Sequence, residues 1–265
     1  MNIFLHELKA YRKSSIIWTL SLVVVVIIFF SLFPSFSRDI EQIKNLLEGF
    51  PKSIRNIIGI SLESFDNILG YYSFPLSFII LIGAIQAMNF GVSIVSKEIR
   101  QKTADFLLTK PIKRTQILTS KILAVTTSLI ATNIIYILAA NIIASIVKNE
   151  DYSFKIFFMV SITLLFVQLI FMSLGVIISV ILPRIKSVLP ISLATVFVFY
   201  FISFLSSADS DDIIRYITPF KYFDPAYIIK NGAYETPFII ISLLVIIVSI
   251  IASYAIYDKK DIHTV

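Results

Sequence analysis

Six stretches of this chain are too long and too apolar to rest in water. They cover residues 16–33, 73–96, 122–147, 156–182, 187–208 and 236–257, and none has Asp, Glu, Lys or Arg in its interior. A helix rises about 1.5 Å per residue, so even the first run reaches close to a hydrocarbon core of about 30 Å. Soluble domains of ordinary composition are about a quarter charged. Here 15% of the 265 residues are charged, 57% are hydrophobic, and mean hydropathy is +0.88. The chain is expected to be an all-α polytopic membrane protein with six transmembrane helices, and residues 1–265 form one transmembrane domain.

The segments between the runs set the expected orientation. With both termini inside, the inside segments hold 14 basic and 5 acidic residues, and the longer outside segments hold 9 and 12. Lys and Arg favour the cytoplasmic side, which puts both termini in the cytoplasm of a plasma-membrane protein. Residues 34–72 and 209–235 then lie outside. The net charge of +6 follows this sidedness and is no argument for nucleic acid. Residues 1–15 place Met1, Phe4, Leu8 and Tyr11 at helical spacing, with Lys9, Arg12 and Lys13 mostly off that stripe. This pattern predicts a separate interfacial helix, followed by a span that Pro34 ends.

The segment Lys97–Lys121 carries seven of the 23 basic residues between two apolar runs. Thr103 is placed to cap a short helix with Asp105 in its first turn, where an acid suits exposed N–H groups. Phe106, Leu107 and Leu108 give that helix an apolar side, and Pro111 stops or redirects it. Two readings stand: a docking surface for a second protein, or an ordinary inside loop whose helix lies on the bilayer.

The chemistry present excludes several functions. Cysteine is absent, so disulfides and thiolate catalysis are ruled out. The two histidines, His6 and His263, lie near the ends, and neither HExxH nor a GxxxxGK[ST] phosphate loop occurs. Ion-coupled carriers usually need an intramembrane ionisable group, and no run supplies one. A transporter built this way needs energy from elsewhere. Gln86 and Asn89 share a face of the second run, where amides either line a path or bind helices together. Asp209, Asp211 and Asp212 invite a metal or enzyme reading, but they lack EF-hand spacing, and a helix start is simpler.

With Glu98, Thr103, the pair Leu107 and Leu108, Pro111 and Arg114 in this order, the loop resembles the signature of ABC-2 type permeases, the membrane subunits of ABC exporters. Lys102 stands where that family usually has glycine, and Asp105 where its acid is often longer. The layout resembles the family over the whole chain, including the outer stretch Thr218–Pro225. The resemblance implies that Glu98–Arg114 contains a cytoplasmic coupling helix, with Asp105 and Phe106 inside it. It implies a dimeric cytoplasmic ATPase as partner, a second permease subunit of the same or a homologous kind, and no cofactor bound directly, since ATP is hydrolysed in the partner. It does not select a substrate. The alternatives are a stand-alone membrane scaffold and an enzyme using the outer aspartates.

Overall fold

The structure, a computed structural model, describes residues 3–38, 49, 67–101, 113–182, 185–209 and 212–259. Among them, five helices are long and apolar enough to cross a membrane. They are α1 (Ile3–Arg38), α2 (Ile68–Gln101), α3 (Arg114–Val147), α4 (Phe154–Ile181) and α8 (Thr236–Lys259). Between α4 and α8 lie α5 (Val188–Asp209), the single turn α6 (Asp212–Arg215), a 3-10 turn (Pro219–Lys221) and α7 (Pro225–Asn231).

The expectation of six full spans is therefore corrected to five. The run at 187–208 forms α5, but its described apolar part, Val188–Phe204, has 17 residues, about 25 Å of helix. The chain behind it folds back into the bundle. Phe220 of the 3-10 turn packs at a tilt against Phe171, past the midpoint of α4, with ring centres 5.2 Å apart, and Phe171 also meets Phe199 of α5 at 5.8 Å. Irregular backbone is tolerated at such depth only where protein surrounds it. Thr218 fits that rule, being fully buried with its Oγ1 donating to Phe199 O at 2.8 Å.

The separate interfacial helix is corrected too. α1 runs unbroken from Ile3 to Arg38, with Pro34 inside it. No Gly or Pro interrupts residues 3–33, and the first turns are held by tertiary contact. Glu7 and Tyr11 are buried against α2. The basic, amphipathic start is the projecting end of a long helix.

α2 and α4 form the centre. In their apolar stretches 72% and 61% of residues are buried, against 17% in α8. They run parallel and make the most extensive contact in the bundle, followed by α1 with α3. Two glycines permit the central crossing. A Cβ on Gly91 would lie 2.4 Å from Met172 O, and one on Gly175 would lie 2.8 Å from Met88 O. Small residues let backbones approach in lipid, where helix association has little hydrophobic drive. Outward residues such as Ile142, Ile146, Val248 and Ile251 stand exposed, as a lipid-facing surface requires.

Candidate functional site

The ends of α1, α2, α3 and α8 converge at the mouth of the 97–121 segment. Lys121, 1% exposed, donates from Nζ to Ile94 O at 2.7 Å. It thereby fixes the start of α3 to the end of α2 across the intervening loop. An ammonium taken out of water needs such acceptors. Glu7 of α1 pairs with Lys97 at 3.6 Å, and the Lys97 ammonium lies 5.4 Å from the centre of the Tyr11 ring. Tyr11 OH hydrogen bonds Ser93 Oγ at 2.7 Å, and its ring packs on Phe90 at 5.1 Å. From α8, Tyr254 OH meets Thr119 Oγ1 at 2.6 Å, and Asp258 O accepts from Arg114 Nη1 at 3.3 Å. Residues 7 and 258 thus lie at one end of the bundle, beside the loop.

The residues singled out from sequence fall differently around this mouth. Arg114 is the first residue of α3, following an extended Lys113. Glu98 falls within the last turns of α2. Thr103, Asp105, Phe106, Leu107, Leu108 and Pro111 lie outside the described residues, as does Asp211 of the outer aspartates. Asp209 ends α5 and Asp212 begins α6. Among the described residues no group of three or more His, Asp or Glu is arranged to hold a metal ion.

Gln86 lies at the centre of the bundle and is fully buried, whereas Asn89 is half-buried. The Gln86 amide makes two interhelical bonds. Its Nε2 donates to Thr132 Oγ1 at 3.2 Å, and its Oε1 accepts from Gln168 Nε2 at 3.1 Å. Gln168 Oε1 accepts from Asn133 Nδ2 at 2.6 Å, and Thr132 meets Thr19 at 3.0 Å. This polar cluster joins α1, α2, α3 and α4. Toward the opposite end, Tyr72 bonds to Tyr136 and, at 3.0 Å, to Ser161. Asn133 and Gln168 are visible in the sequence as polar residues in apolar runs, but nothing there says that they face Gln86.

At the end away from the loop, Arg215 gathers the irregular segment. Nε donates to Lys221 O at 3.1 Å and Nη1 to Glu235 Oε2 at 3.1 Å, while Nη2 pairs with Glu235 Oε1. The guanidinium also lies 4.2 Å from the Phe238 ring centre. Burial, partly offset by Asp224 and reinforced by Arg215, holds the Lys221 amine below its ordinary value.

These features define a multi-pass membrane protein with a polar-bonded helical core and a tied basic loop at one end. The chain belongs to the ABC-2 family of transporter proteins, whose family profile matches residues 1–262. No curated protein matches it. Membership makes it a membrane permease of the ABC-2 transporter family.

Proposed function

We propose that this chain is the permease subunit of an ATP-driven exporter and that Glu98–Arg114 receives a separate cytoplasmic ATPase. The observation that carries this reading is the family match over residues 1–262. It is supported by a loop rich in Lys and Arg, no phosphate-binding loop, and apolar runs without an interior charge. In this reading, the bundle end bearing Glu7, Lys97, Arg114 and Asp258 faces the cytoplasm, where basic residues concentrate. Phe106, Leu107 and Leu108 supply the buried contacts, capped by Thr103 and Asp105, and Pro111 turns the chain toward α3. Two permease units, alike or homologous, pair with two ATPase subunits. The tied mouth has a mechanical consequence: a push on the loop is passed directly to α1, α2, α3 and α8.

Losing a buried interface anchor often costs about 2 kcal/mol or more, roughly thirtyfold in affinity. Leu107→Asp should abolish co-purification of ATPase activity while the chain remains inserted in the membrane. Co-purification from native membranes in mild detergent, with ATP hydrolysis as the readout, tests this. An unchanged yield of ATPase with Leu107→Asp would overturn the assignment of the loop. Orientation is tested by cysteine labelling, for which the chain offers a cysteine-free background. An impermeant thiol reagent should reach a cysteine at Glu150 in intact cells and should reach one at Lys113 only after permeabilisation.

A further inference from the structure

The segment that returns the chain from α5 to α8 sits low in the bundle. Tyr234 OH donates to Met159 O at 2.8 Å, and the rings of Phe223 and Tyr234 lie 5.2 and 5.7 Å from Phe166. Phe166 is about 18 Å along α4 from Phe154, and Phe171, which meets Phe220, is about 25 Å along it. The register of α8 against α3 gives a similar depth by a separate route. The two helices are antiparallel, with Tyr254 beside Thr119. From there α8 runs about 27 Å back to Thr236, whereas α3 runs about 42 Å on to Val147. Residues 215–235 therefore form a floor about 15 Å or more below the hairpin that joins α3 to α4. That hairpin does not stand in water. Ile142, Ile146 and Phe154 leave an exposed apolar surface there, as contact with hydrocarbon requires.

Two cations belong to this floor. Arg215 is matched by Glu235. Lys221 is half-buried, its ammonium is not enclosed, and among the described residues none accepts a hydrogen bond from it or forms an ion pair with it. Asp224 acts on the amine only through space, and Arg215 opposes that attraction. The Asp224 carboxylate serves α7 instead, with Oδ1 accepting from Ala226 N at 3.0 Å. A cation sunk below the bilayer surface is costly without water or a counter-ion. Irregular backbone at that depth must be covered by protein or line a water-filled space. The floor meets the second condition where Arg215, Glu235 and Lys221 keep part of their surface open.

We propose that this floor is an anion site, reached from the end of the bundle away from the loop, where Lys221 Nζ binds the phosphate of a soluble or lipid phosphate ester. An ammonium offers three donors and takes phosphate as a compact point charge. Arg215 adds positive potential while remaining bonded to Glu235.

The test uses the full-length chain in dodecyl maltoside, a detergent without phosphate or charge. Surface amines are acetylated with a water-soluble acylating reagent and mapped by peptide mass spectrometry, with the exposed Lys230 of α7 as the reference. Glycerol 3-phosphate and phosphatidylglycerol are the two probes, each set against chloride at equal ionic strength. Lys221 should react in chloride. One probe or both should slow its acetylation relative to Lys230 by about three- to tenfold as the probe passes about two to nine times its Kd. Protection by glycerol 3-phosphate makes the ligand a soluble ester, and protection by phosphatidylglycerol alone makes it a lipid. The protecting probe should also raise the melting temperature of the unaltered chain and of Lys221→Arg, but not that of Lys221→Met. Labelling of the unaltered chain decides the matter even where Lys221→Met fails to fold. A Lys221 that never reacts, acetylation unchanged by both probes, or equal thermal stabilisation of Lys221→Met overturns the proposal.

Discussion

Amides are expensive to bury, and Gln86, Gln168 and Asn133 are all but removed from solvent. Their bonds to one another offset that cost, because in lipid no water replaces a missing partner. Interhelical hydrogen bonds in membranes are worth about 0.6 kcal/mol on average and up to about 1.7. Gln168→Leu breaks two side-chain bonds, one to Gln86 and one to Asn133. It should lower stability by roughly 1–3 kcal/mol, read as thermal unfolding in detergent. Gln86→Ala should act in the same direction, and the double variant should cost less than the sum of the two. Asn89→Ala, at a half-buried position, should change little. Additive losses for Gln86 and Gln168 would contradict a shared network.

Helix against helix, the decisive contact is the parallel crossing of α2 and α4. Gly91 there meets backbone, while Gly83 meets the tip of a flexible side chain: its Cβ would lie 2.4 Å from Leu164 Cδ1. A leucine tip can turn away, but the carbonyl of Met172 moves only with its helix. Gly91→Ala should therefore cost about 1–3 kcal/mol, the usual range for overpacking, and Gly83→Ala distinctly less. Unfolding of the two variants side by side checks this, and equal losses would remove the backbone argument. The long α1 follows from similar reasoning. Its first turns are held against the bundle, where Glu7 and Tyr11 find partners on α2.

Across the whole molecule, two ends are tied in different ways. The loop end is held by Lys121, the Glu7–Lys97 pair and the contacts from α8. The other end depends on Arg215, which joins α6, the 3-10 turn and the entry to α8 through one guanidinium. Lysine cannot reproduce a bidentate pair, an additional Nε bond and ring stacking together. Breaking a fully buried ion pair costs about 3–5 kcal/mol. Arg215 and Glu235 keep 27% and 20% side-chain exposure, so Arg215→Ala should cost somewhat less, about 2–3 kcal/mol. Arg215→Lys should recover only part of that. The loss should appear as faster amide exchange at residues 218–223, with α1 and α3 unaffected. Uniform acceleration over all helices would show that the pair serves global stability instead.

By itself the sequence determined where apolar helices form, where Lys and Arg collect, and which family the chain resembles. Those are local properties: a long uncharged run in lipid can satisfy all of its own backbone hydrogen bonds by forming a helix. Helix faces were not legible, because in spans such as α4 and α8 apolar residues occur all round and no polar stripe separates lipid from protein. Only the tertiary structure decided that Gln86 meets Gln168 and Thr132, that Asn133 is left with an unfilled acceptor, and that Arg215 reaches Glu235. It also decided the outcome at α5. Composition gave residues 187–208 the look of a full span. The chain beyond it packs Phe220 against Phe171 and Tyr200, and Thr218 against the Phe199 carbonyl. Such a contact joins residues far apart in the chain, and no window of sequence contains both partners.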